Sequence, residues 1–98
     1  MSAARGVTNL DDERVRVTTW TFRDGEATGH HRHEFDYVIV PVTGGTFDVL
    51  DSDAGARTLS QEAATPYLGR AGTSHDVINR SGRTAIFVEV ELKPPLLN

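Results

Sequence analysis

Ninety-eight residues leave room for one domain, with a core thin enough at this size that an oligomer would help to cover it. Lys and Arg number 10 against 14 Asp and Glu, a net charge of −4 with no basic run, which argues against a nucleic-acid or anionic-membrane partner. The absence of cysteine rules out disulfides, thiolate catalysis and Cys-ligated metal, and it fits a reducing, cytoplasmic setting.

Residues 1–12 are small and polar and read as a short flexible arm ahead of a single domain at 13–98. Met1 to Leu10 has no apolar run of the signal-peptide kind, and no stretch reaches the ~20 apolar residues of a membrane span, so neither is expected. From Arg14 to Phe22 the chain alternates with period two and is rich in β-branched residues, which predicts a strand. Trp20 and Phe22 lie on the opposite face from Val15 and Val17: if that face is outer they mark a dimer surface, and if inner they are core. Asp24-Gly25 is a turn signal. Phe35–Val42 and Thr46–Leu50 predict strands, Asp51–Gly55 a turn, and Arg57–Leu59 a weak strand. Gln61–Ala64 could make one helical turn, which Pro66 stops. Tyr67-Leu68, His75–Asn79 and Thr84–Leu92 complete the strands. The last sets Ile86, Val88, Val90 and Leu92 against Phe87, Glu89 and Glu91. Many short strands without a convincing helix indicate an all-β sandwich or barrel.

The chemistry concentrates at His30-His31-Arg32-His33. Side chains two apart on a strand share a face, so His31 and His33 point together and His30 points away. Two imidazoles so placed can both reach one ion at ~2.0–2.1 Å. His75 begins a later strand, and if the sheet rolls up it can meet them inside. Three neutral imidazoles would cap one side of an ion and leave positions open for chemistry. Ser74-His75-Asp76 is not a relay, because neighbouring strand residues face opposite ways. Asp51 and Asp53 lack the ligand rhythm of a calcium loop and read as turn acids.

These residues resemble the motifs of the cupin family. Glycine, five residues, His-x-His, and a later glycine fall on Gly25, His31, His33 and Gly44. The second motif falls on Gly72, His75 and Asn79. Together they span over half of the chain. The run His33-Glu34-Phe35-Asp36-Tyr37-Val38-Ile39-Val40-Pro41 also resembles small single-domain cupins associated with β-alanine breakdown. The resemblance implies a double-stranded β-helix, or jelly-roll barrel, with a divalent ion (Fe, Mn, Zn or Ni) on His31, His33 and His75. It also implies a homodimer.

Two positions depart from the pattern. The family's glutamate ligand falls at Tyr37, whose parity faces inward while Glu34 and Asp36 face outward. A neutral phenol ligates poorly, which leaves a three-His site or a weakened one. Tyr37 then either bonds a bound substrate or water or fills the barrel. Arg70 stands where the motif has proline, and it is either a contact for an anionic substrate or a surface arginine. Asn79 reads as a residue behind the ligands, orienting a ligand or the following turn, or as a capped strand end. A divalent ion on three neutral imidazoles keeps its full charge and favours a small anionic organic molecule. Thiol dioxygenases, also cupins, use such a set. The expected function is an oxidoreductase of the dioxygenase kind or an isomerase, with a non-catalytic binding or sensing module as the alternative.

Overall fold

The computed structural model describes residues 3–95. Among them every element is a β-strand: β1 Arg5–Asp11, β2 Val15–Phe22, β3 His31–Arg32, β4 Asp36–Pro41, β5 Gly45–Asp51, β6 Gly55–Gln61, β7 Tyr67–Gly69, β8 Ser74–Asn79 and β9 Ala85–Leu92. No helix among them is long and apolar enough to cross a membrane. The strands form two antiparallel sheets, ordered β1-β2-β9-β4-β7 and β3-β8-β5-β6. The pairing is nested: outward from the β5–β6 hairpin, β4 meets β7, β3 meets β8 and β2 meets β9. One long hairpin rolled on itself gives this order, and it is the double-stranded β-helix expected from the sequence.

The floor of the barrel is aromatic. Phe22, Phe47 and Phe87 meet with ring centroids 5.2–5.9 Å apart, and Ile39, Val49, Val77 and Ala85 close around them. Burying each large side chain contributes roughly 1.5–3 kcal/mol. Trp20 and Phe22 therefore belong to the inner face, which settles the choice between core and dimer surface. The inner side of β9 carries Ala85, Phe87, Glu89 and Glu91, all buried, so the strand turns its acidic face inward.

Two expectations change. Arg5–Asp11, inside the segment read as a loose arm, is an edge strand registered on β2, with a bulge between Thr8 and Leu10. All seven residues are exposed, so no buried alternation betrays the strand in the sequence. Met1 and Ser2 lie outside the described residues. The helical turn at Gln61–Ala64 is instead the end of β6 and a turn, with Ala64 at φ 63° and its N–H donating to the Pro41 carbonyl.

Candidate metal centre

β3 and β8 pair with His31 directly opposite His75, and His33 follows His31 at the next inward position. A strand contact thus joins two histidines 44 positions apart, and parity adds the third. His33 Nε2 lies 3.1 Å from His31 Nε2 and 3.0 Å from His75 Nε2. Two ligands at ~2.1 Å from one ion subtend a right angle when their nitrogens are ~3.0 Å apart, and a tetrahedral angle at ~3.4 Å. His33 therefore stands at about a right angle to each of the other two donors, as neighbouring ligands do on a six-coordinate ion. His31, His33 and His75 are also the residues whose ligand atoms converge closely enough to hold a metal.

The surroundings fix the imidazoles for this role. His31 Nδ1 sits 2.9 Å from the Gly29 carbonyl, which can only accept, so Nδ1 carries the proton and Nε2 presents its lone pair. His33 Nδ1 faces Glu89 Oε2 at 3.5 Å. Burial, followed by the neighbouring imidazoles, pushes the His33 pKa down to about 3. Burial and His31 push His75 down to about 4. Both rings are therefore neutral in ordinary buffers, the state a metal requires. His75 Nδ1 is buried with no hydrogen-bond partner. With Nδ1 protonated on each ring, three Nε2 lone pairs converge and repel unless a positive charge lies between them, so the donor set fits a divalent cation.

Glu89 is the residue that sequence reasoning missed. It is buried on the inner side of β9, accepts Trp20 Nε1–H on Oε1 at 3.2 Å, and presents Oε2 to His33. Burial pushes its pKa up. Its only sequence signal is a place in an alternating strand whose other face is more apolar. Glu91, one step further, is held by both nitrogens of the Arg16 fork at 2.7 and 2.8 Å.

Tyr37 does face inward, as parity required. Its ring stacks on His33, with centroids 3.8 Å apart and planes at 18°. Its other face covers Gly69, where a Cβ would come within 2.0 Å of Tyr37 Cζ. Burial pushes the phenol up to about 12, so it stays protonated and props His33. Arg70 is 73% exposed at the cavity rim, with Nη1 3.8 Å from Asp36. Asn79 does not reach the histidines. It lies four residues along β8 from His75, ~13 Å away, and its amide donates to the carbonyls of Phe22, Arg23 and Arg83. Its oxygen accepts Ser81 N–H. It secures the turn after β8 at the floor of the barrel, the second of the two roles read from the sequence, and it orients no ligand. His30 points away as expected, its Nε2 bonding the hydroxyls of Ser74 and Ser52. Asp51 accepts the Asp53 and Ala54 N–H groups as a turn acid.

The cluster opens into a cavity of about 600 Å³, within the ordinary range for small-molecule sites. Apolar walls from Ile39, Val49, Leu59 and Phe87 meet a polar mouth of arginines, tyrosines and the histidines.

Comparison with known proteins agrees with this architecture. No family model matches the chain. Over 84 residues it is 44% identical to the β-alanine degradation protein BauB of Pseudomonas aeruginosa, covering 86% of this chain and 87% of that protein. A crystal structure of a cupin domain from Bordetella pertussis superposes with a TM-score of 0.90 at 39% identity, over 94% of this chain and 95% of that one. An RmlC-like cupin with a double-stranded β-helix fold from Methanocaldococcus jannaschii shares the fold at 11% identity, with a TM-score of 0.78 over 93% and 81% of the two chains.

Proposed function

We propose that this chain, which belongs to the cupin superfamily and is a relative of BauB, is a metal-dependent cupin that binds a small anionic organic molecule and oxidises or isomerises it. The observation that carries this reading is the approach of three imidazole Nε2 atoms to a common point, with two separations of 3.0 and 3.1 Å. Two donor pairs at right angles suit a six-coordinate ion, on which three ligands leave three positions open. Six-coordinate Fe, Mn or Ni adopts that geometry more readily than tetrahedral Zn does. A bound divalent ion would supply Lewis acidity and, if redox-active, electrons. The chain's own part is to keep His33 and His75 unprotonated, to orient His33 through Glu89 and Tyr37, and to enclose the ligand between apolar walls.

The name of the P. aeruginosa relative supports a small, amino-acid-derived carboxylic acid as the kind of molecule handled. The absence of cysteine supports a cytoplasmic setting. A homodimer is supported by the outer face of the five-stranded sheet, where Leu68, Val38, Val90, Val17 and Leu10 form one apolar row across all five strands. Leu68 and Leu10 are about half exposed there.

The test is metal content by mass spectrometry after growth in metal-supplemented medium, followed by oxygen uptake with a panel of small thiols and carboxylates. Stoichiometric metal in the wild type, lost in H31A/H33A while the circular dichroism spectrum is kept, is the expected result. Uptake with iron bound marks an oxygenase, and tight zinc without turnover marks a binding module. Unchanged metal content in H31A/H33A would overturn the assignment.

A further inference from the structure

β6 supplies a second recognition element on the inner wall. Val49 on β5 is fully buried and faces the barrel interior, and it pairs with Val77 on one side and Arg57 on the other. Residues directly opposite across an antiparallel pair share a face, so Arg57 projects inward. Leu59 and Gln61 follow on the same side of β6, the latter buried. The next inward position toward the mouth is Gly55, which has no side chain and open space around it. The guanidinium of Arg57 is therefore free to lie along the cavity wall that it lines.

Its charge is uncommitted. Of the arginines that line the cavity, Arg16 is held by Glu91 and Arg70 faces Asp36, whereas Arg57, like Arg32, has no ion pair or side-chain hydrogen bond among the described residues. Beside it, Tyr67 also lines the cavity. Gln61 Nε2 donates to Tyr67 Oη at 2.8 Å. The oxygen is thereby occupied as an acceptor, and the phenolic proton remains to be given elsewhere. Burial holds that proton on the phenol, pushing its pKa up. Arg57 offers a planar fork of N–H donors and Tyr67 one O–H donor, and the two together complement a carboxylate.

We propose that Arg57 and the Tyr67 hydroxyl form a carboxylate-binding corner of the cavity, so that the bound molecule is a short-chain carboxylate held by its acid group at β6 and β7. Its other end faces the three histidines, a direction that rests on reading the cluster as the reacting end. Gln61 is the positioning residue that aims the Tyr67 proton.

The experiment titrates the purified full chain by NMR with propionate and malonate and, in parallel, with propionamide and malonamide. Metal content is measured on every sample. A charge-assisted fork to a carboxylate carries at least a tenfold effect. R57Q is expected to bind both acids at least ~10-fold more weakly, with amide binding and metal content unchanged. R57K keeps the charge without the fork and is expected to fall between. R80Q removes one equal charge away from the cavity and is expected to match the wild type. Equal affinity in wild type and R57Q, an equal loss in R80Q, or no carboxylate binding by the wild type at millimolar concentration would overturn the proposal. A wild type that holds no metal but binds the acids through Arg57 would sink the reading of the histidines and leave this corner standing.

Discussion

Replacing Glu89 with Gln pulls apart two roles that usually fall together. In the wild type, Glu89 Oε2 stands 3.5 Å behind His33 Nδ1 while Oε1 accepts from Trp20 at 3.2 Å. A carboxylate behind a ligating imidazole holds its Nδ1–H and makes the opposite nitrogen more basic. Losing one costs ~10–100-fold in metal affinity, or ~1.4–2.7 kcal/mol. The 3.5 Å separation is long for a hydrogen bond, so the lower end, about tenfold, is expected. Stability moves the other way. Burial raises the pKa of Glu89, so its contribution to folding is present below the unfolded carboxylate pKa and is lost as pH rises through the folded one. At neutral pH the ionised group therefore weighs against the fold, and a neutral isostere relieves it. E89Q should keep or raise the urea midpoint of the metal-free protein at pH 7 while weakening metal binding about tenfold. Competition with a chelator and urea unfolding on the same sample read both quantities. An unchanged metal affinity, or a fall in affinity and stability together, would refute the reasoning.

Acid should destabilise the metal-free protein through its two deep histidines. Their folded pKa values of about 3 and about 4 lie below the ordinary imidazole value, so the stability they contribute is complete above pH ~6.5 and is lost as pH falls toward those values. Two protons taken up on unfolding imply a loss of up to ~2.7 kcal/mol between pH 6 and pH 5, and urea midpoints that do not move over that interval would contradict the burial of these rings. Gly69→Ala places a methyl 2.0 Å from Tyr37 Cζ. Overpacking of this kind costs ~1–3 kcal/mol, read as a lowered urea midpoint, and a wild-type midpoint would contradict the position of the Tyr37 ring.

The histidine centre was legible because its logic is local to strands. Parity alone put His31 with His33 and turned His30 away, and the inward phase of Tyr37 followed from the same count. The meeting with His75 needed the barrel to close, a step the motif resemblance supplied and the register of β3 on β8 realises. Glu89 was hidden for a physical reason. Its strand has an apolar face and a half-acidic face, and burial preference alone sends Ile86, Val88 and Val90 inward. The structure reverses this: the acids are satisfied by Arg16, Trp20 and His33 inside, and Ile86, Val88 and Val90 lie on the outer face, Val90 in the apolar row that crosses the sheet. β1 was hidden because it buries nothing, and the choice between the ligand and turn roles of Asn79 was open because hydrogen bonds to a turn leave no periodic trace.

The inner face of the barrel changes character along its axis, and that change explains how so small a core carries a polar site. On β2 the inward residues run Phe22, Trp20, Thr18, Arg16, and on β9 they run Ala85, Phe87, Glu89, Glu91, position for position across the ladder. On β8 the apolar Val77 gives way to His75. Apolar burial near the floor supplies most of the folding free energy, while the mouth holds desolvated groups that oppose it until they are paired. Antiparallel register keeps the two apart by only a few residues, so the floor stabilises the backbone that aims the histidines. Changes at the mouth can then alter ligand or metal without dismantling the core. The opposing effects expected of E89Q on metal affinity and on stability are this division seen at one residue.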